Sequence, residues 1–180
     1  MIGLFGSYRS ESAAIADVSS MAASVPDRFS CETIAGDGAA FGRVAHGPGR
    51  SGSVARDGKL TAMLCGEIFD LEEFADDKSA PESAAQLILQ LAKTDRLDRL
   101  ADVNGQFCAL VHDGGAHRLS LITDRLATFP LHYWQNSDGL VFATQLLTLL
   151  ADARVPRRVD ADALAQLFTM QRTIGCITPL

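Results

Sequence analysis

No apolar run in this 180-residue chain approaches the roughly 20 residues a membrane-crossing helix needs, so no membrane partner is expected. Positive charge is scarce too: 16 Lys and Arg stand against 22 Asp and Glu, for a net charge of −6. A nucleic-acid platform needs a basic face, so no nucleic-acid partner is expected either. The only arginine cluster, Arg154, Arg157 and Arg158, reads as a solvated helix-to-loop corner. Cysteines are few, and Cys31, Cys65, Cys108 and Cys176 lack C-x-x-C spacing and follow no secretory signal. That pattern implies reduced thiols in the cytoplasm. The four histidines lack metal-ligand spacing, and His112 and His117, flanking one turn, are expected to be exposed. There is no G-x-S-x-G elbow, and no carboxylate pair stands out among the acids. Gly47-Pro48-Gly49-Arg50-Ser51-Gly52 fits G-x-G-x-x-G formally, but a strand pattern follows it where a dinucleotide site needs a helix, so it reads as a loop.

What is present is a globular composition, 47% apolar and 21% charged, enough for one domain over residues 1–180 with a core of its own. Ile2 to Tyr8 reads as a buried strand tied in at the very start. Glu11–Val25 carries Ala14, Ile15, Val18, Met21 and Ala22 at helical spacing, with Ser10 as its cap. Short strands follow at Ser30–Ala35, Ala39–Ala45, Gly52–Arg56 and Lys59–Cys65, with Asp57-Gly58 as a hairpin turn. Ser79–Lys93 is the clearest helix, with Ser79-Ala80-Pro81-Glu82 as its capping box and Ala84, Leu87, Ile88 and Leu91 as its stripe. Arg96–Ala101 adds a helical turn. Gln145–Leu150 and Ala161–Met170 are helices near the end, the second capped by Asp160.

Asn104 to Trp134 is the most informative stretch. Gln106–Asp113 and His117–Asp124 alternate about the turn Asp113-Gly114-Gly115, placing Phe107, Ala109 and Val111 on one face and Cys108, Leu110 and His112 on the other. Leu131–Gln135 and Leu140–Thr144 follow about Asn136-Ser137-Asp138-Gly139, and the four are expected to form one antiparallel meander.

The order G-x-F-x-A-L-x-x-D, then D-R-L-A-T-F-P-L-H-Y, resembles the amidotransferase half of the asparagine synthetase family, a class II glutaminase of the N-terminal-nucleophile fold. Cys65-Gly66-Glu67-Ile68-Phe69-Asp70 resembles that family's Asn-Gly-Glu-Ile-Tyr-Asn run. The resemblance implies an α+β fold, a four-layer αββα sandwich of two antiparallel sheets. It also implies a glutamine pocket, and there the chain departs from the family. Members lose Met1 and use the exposed cysteine as nucleophile with its own α-amine as base, whereas this chain has Ile2. The family's asparagine amide and glycine N–H form the oxyanion hole; here Cys65 replaces the asparagine and Gly66 remains. Glu67 matches the glutamate that grips the substrate amine, and Ala84 falls where an aspartate completes that grip. Arg43 is nearest to the arginine that holds the substrate carboxylate.

The resemblance therefore implies a degenerate amidotransferase-like module with no catalytic nucleophile, closest in character to the parts found in lasso-peptide cyclases and β-lactam synthetases. Its expected partner is an ATP-dependent synthetase domain or protein, along with that enzyme's peptide substrate. The phosphate loop Ser-Gly-Gly-x-Asp-Ser of such a synthetase is absent from the chain. No cofactor is expected in this chain; ATP and Mg belong to the missing synthetase half. Leu164, Leu167, Phe168, Ile174 and Ile177 offer surplus apolar surface, suited to that half or to a second copy in a homo-oligomer. A working glutaminase half and a free-standing binding module for an amine or peptide near Glu67 are the rival readings.

Overall fold

The computed structural model describes residues 3–9, 18–36, 38–45, 52–69, 71–74, 81–175 and 177–179. Among the described residues, nine strands form two fully antiparallel sheets. The first has five strands: β1 (Gly3–Tyr8), β2 (Ser30–Gly36), β3 (Ala39–Ala45), β8 (His132–Asn136) and β9 (Gly139–Ala143), in the order β2-β3-β1-β9-β8. The second has four, β4 (Gly52–Asp57), β5 (Leu60–Ile68), β6 (Gly105–Asp113) and β7 (Arg118–Thr123), in that order.

Alternation along the strands sorts side chains into three cores. Between the sheets, Leu4, Phe41 and Phe142 meet Met63, Cys65, Cys108 and Leu110, all buried. Phe5, Val44, Val141 and Ala143 face outward from the first sheet onto Met21 of α1 (Ser19–Ala23) and Leu149 of α3 (Leu146–Leu150). Ala62, Leu64, Phe107, Ala109 and Val111 face outward from the second sheet onto Leu87, Ile88 and Leu91 of α2 (Ala84–Lys93). The result is the αββα layering. A fully buried Phe or Leu is worth about 1.5–3 kcal/mol, and the most completely buried side chains include four phenylalanines. No helix among the described residues is long and apolar enough to cross a membrane.

Several local expectations are corrected. The four strands after Asn104 are not one meander: the β6–β7 hairpin closes the four-stranded sheet, while β8–β9 belongs to the five-stranded one. Residues 124–131 carry the chain from one sheet to the other. Ser83, and not Ser79, caps α2: its Oγ accepts from Gln86 N at 3.3 Å, while Gln86 Oε1 accepts from Glu82 N, one residue before the cap, at 2.8 Å. Ser79 and Ala80 lie outside the described residues, as do Ile2, Ser10 with the whole of 11–17, and 46–51. His112 is not an exposed hairpin histidine. It is 5% exposed, on the inner face of β6, with Tyr8 and Phe41 edge-on against its ring. Arg154 is not solvated either. It donates to Asp152 at 2.9 and 2.5 Å and to Ser7 Oγ at 2.8 Å, on the outer face of β1.

The sheet-crossing corner is built by Asp124, whose buried carboxylate accepts from Phe107 N (3.1 Å), Leu126 N (2.8 Å), Thr128 N (3.1 Å) and Thr128 Oγ1 (3.2 Å). Next to it, Arg125 donates to the carbonyls of Ala101 and Asp102 at 2.9 and 3.1 Å, anchoring the corner to the turn Leu97–Ala101. Burial works to raise the Asp124 pKa, but the hydrogen bonds from Leu126, Thr128 and Phe107 outweigh it and hold it below the usual range. Asp152 is likewise lowered, its burial outweighed by Arg154.

Removing the Asp124 carboxylate strands three backbone donors, each costing on the order of 1–3 kcal/mol if left buried without a partner. Asp124→Ala is therefore expected to lower unfolding stability by about 3 kcal/mol or more. Urea denaturation checks this, and an unchanged midpoint would remove the corner from the list of structural supports. A second expectation concerns acid. A carboxylate whose pKa is depressed on folding stabilises fully above its unfolded value, about 4, and loses that contribution as pH falls through the folded value. Stability measured across pH should hold down to about pH 5 and fall below it, less steeply in Asp124→Asn.

Candidate functional site

Of the pocket residues assigned from sequence, Arg43, Cys65, Gly66 and Glu67 fall on the strands β3 and β5. β1 enters at Gly3, where Thr144 Oγ1, just past β9, accepts from Leu4 N at 3.1 Å. A Cβ on Gly3 would lie 2.0 Å from that oxygen, so only glycine allows this close approach of β1. Position 2, the nucleophile position of the resembling family, lies outside the described residues. Its identity, isoleucine, offers no nucleophilic atom.

Arg43 lies directly opposite Leu4 of β1 and Glu32 of β2. Alternation places it on the inner face with Ala39 and Phe41. Its Nη2 is 3.3 Å from Glu32 Oε2. The four-stranded sheet supplies Cys65, in register with Cys108, and both thiols are fully buried. Arg43 reaches Cys65 electrostatically across the gap between the sheets. Burial pushes the Cys65 thiol up to about 12, and the Arg43 charge only partly offsets that. Burial also raises Cys108, reinforced by Cys65 and by Asp124. Both sulfurs are thus neutral thiols near pH 7. Neither is a nucleophile, because reactivity resides in the thiolate.

Gly66 follows with φ +97, and a Cβ there would meet Gln106 O at 2.0 Å and Phe129 Cε2 at 2.9 Å. The left-handed backbone and the crossing loop's Phe129 together require glycine at this point. Glu67 is exposed beyond it, opposite Gln106. Ala84 opens α2 and packs half-buried on the core beneath the outer face of the four-stranded sheet. Its methyl group has no charge to offer an amine. Arg43 and Cys65 are therefore brought together, Gly66 and Glu67 continue their strand, and Ala84 belongs to a different layer.

As an oxyanion site this arrangement is weak. A thiol is a poor hydrogen-bond donor beside the amide that an asparagine would present. No group of three or more His, Cys, Asp or Glu that could hold a metal ion gathers among the described residues. Sequence reasoning missed Glu32, whose contact with Arg43 depends on strand register, and Thr144, whose hydroxyl receives β1. The D-R pair of the crossing loop was visible, and its positions turn out to hold the corner described above.

Comparison with known proteins agrees with this geometry. A profile of the glutamine amidotransferase domain matches residues 43–176. Over 117 residues the chain is 24% identical to the glutamine-hydrolyzing asparagine synthetase 2 of Bacillus subtilis (strain 168), a match covering 62% of this chain and 16% of that protein. Over 100 residues it is 35% identical to the carboxyethyl-arginine beta-lactam-synthase of Streptomyces clavuligerus, covering 54% of this chain and 19% of that protein. The matched stretch is thus less than a fifth of the length of either relative. With most of the chain matched, and with two antiparallel sheets between helices, the protein belongs to the glutamine amidotransferase domain family, as an amidotransferase-like domain related to the asparagine synthetases.

Proposed function

We propose that this domain does not hydrolyse glutamine and instead supports an ATP-dependent synthetase that forms an amide bond. The observation that carries the reading is Cys65. A buried, neutral thiol stands where the family places its oxyanion-hole amide, and Ile2 stands where it places its nucleophile. A preorganised oxyanion donor is typically worth about 3–4 kcal/mol in the transition state, so its loss alone removes a factor of about a hundred to a thousand in rate. Loss of the nucleophile removes the covalent route altogether.

The partner is a synthetase domain or protein that supplies ATP and magnesium, acting in the cytoplasm on a peptide or a small carboxylate. The likeness to a beta-lactam-synthase supports ring closure within one substrate, as in lactam or lasso-peptide formation. A surface suited to such a partner exists on α4 (Ala161–Met170) and the segment after it. Phe168 is 79% exposed, and Met170 and Ile174 are also exposed. Apolar side chains of this size left exposed on a helix and the segment after it favour a protein contact.

Two outcomes are expected. Purified protein incubated with L-glutamine should release no glutamate above a buffer blank in a glutamate dehydrogenase-coupled assay, and N-terminal sequencing should find Met1 retained. Persistent turnover by protein free of contaminating glutaminase would defeat the proposal. Repair should require two changes together. Ile2→Cys with Met1 removed should stay inactive. Activity should emerge only when Cys65→Asn is added, and the double variant should exceed the sum of the single ones, because groups acting as a unit are non-additive. Substantial hydrolysis by Ile2→Cys alone would show that the pocket works as it stands.

A further inference from the structure

Arg43 carries a contact that a carboxylate-binding role does not call for. Its guanidinium, with the side chain only 16% exposed, is paired within the protein to Glu32, whose own side chain is 50% exposed. Arg43 Nε is buried and has no hydrogen-bond partner. A buried donor without an acceptor is unfavourable, and it marks a place where a further acceptor would be taken up. Arginine presents its donors as a planar fork that suits a carboxylate. One part of that fork is already taken by a carboxylate of the chain itself, on the border of the space that holds Cys65.

We infer that Glu32 is an internal competitor, whose carboxylate occupies Arg43 in place of an incoming α-carboxylate and keeps small amino acids out of this pocket. The inference rests on the reading of the site as a silent glutamine pocket with Arg43 as its carboxylate-holding residue. Glu32 acts in two ways: it engages Arg43 Nη2, and its negative charge repels a second carboxylate approaching the same guanidinium. β2 is the outer strand of its sheet, and its residues are exposed apart from the half-buried Ile34. Glu32 can therefore turn into water at little cost, since a half-exposed ion pair contributes modestly. The contact works as a reversible gate and not as a permanent plug. Its expected ligand class is an L-α-amino acid, with the carboxylate on Arg43 and the amine toward Glu67. Glu32 also lies outside residues 43–176, the stretch that matches the family.

Isothermal titration with L-glutamine tests this on the full chain, comparing the wild type, Glu32→Gln, and Glu32→Gln combined with Arg43→Met. 4-Aminobutanamide, which lacks the α-carboxylate, serves as control ligand. Glu32→Gln is expected to tighten L-glutamine binding about two- to fivefold, from the worth of such an ion pair. The gain should vanish in the double variant and be absent for 4-aminobutanamide. Equal affinity, or no binding at all, in wild type and Glu32→Gln overturns the inference, as does a gain that survives loss of Arg43 or extends to 4-aminobutanamide. The substitution is isosteric and lies on an exposed strand. Should it lower the thermal midpoint, Glu32→Thr, uncharged and suited to a strand, makes the same comparison. Glutamate release followed in the same samples separates the two readings. Release by the wild type contradicts the silent pocket whatever Glu32 does, whereas silence with unchanged affinity contradicts the Glu32 gate alone.

Discussion

The carboxylate of Asp124 is the constraint on which the remaining architecture depends. Two sheets packed face to face share no backbone hydrogen bonds, so their relative placement rests on side-chain packing and on the places where the chain passes between them. At the passage between β7 and β8 one buried carboxylate accepts three backbone donors and one hydroxyl. It binds the corner to Phe107 at the start of β6, while Arg125 ties the same corner to the turn preceding that strand. The corner then sets Phe129 against Gly66, and thereby fixes the end of β5 where Cys65 and Glu67 lie. Fold and site share this one anchor.

On the proposed reading the site differs from a working glutaminase at two points. Ile2 offers no reacting atom. Cys65 offers a thiol that burial keeps protonated in place of a stronger donor. Other features keep the form of the pocket: Gly3 admits the close approach of β1 to Thr144, and Gly66 keeps its left-handed backbone. Chemistry and scaffold have separate requirements, and the scaffold's are still met. A domain kept for what its surface and fold contribute to a partner would show this pattern, with packing maintained and reacting groups replaced.

Much of the fold was legible from the sequence because strands announce themselves by alternation. Phe107, Ala109 and Val111 against Cys108, Leu110 and His112 were separable by parity alone, and Asp160 caps α4 by accepting from Ala163 N at 2.9 Å. What parity cannot say is which sheet a hairpin joins. The β6–β7 and β8–β9 hairpins have equivalent local signals, so the corner at Asp124 looked like a simple link in a meander. Burial of His112 was hidden for a related reason: a histidine next to a turn is exposed unless a second sheet covers it, and that sheet comes from distant residues such as Tyr8 and Phe41. The Glu32–Arg43 pair needs the β2–β3 register, which local composition does not fix. The candidate pocket was found by resemblance, because Cys65-Gly66-Glu67 has no periodicity that would single it out.

The central claim is that the pocket has no reacting nucleophile. It is tested most directly by incubating the intact protein with 6-diazo-5-oxo-L-norleucine, a glutamine analogue with an electrophilic diazoketone, and weighing the chain by mass spectrometry. The result expected is no adduct in the pocket, because Ile2 cannot be alkylated and the thiols of Cys65 and Cys108 are buried and neutral, while any label on the exposed Cys31 lies outside it and is not protected by L-glutamine. A single stoichiometric adduct, protected by L-glutamine and located in the pocket, would contradict it.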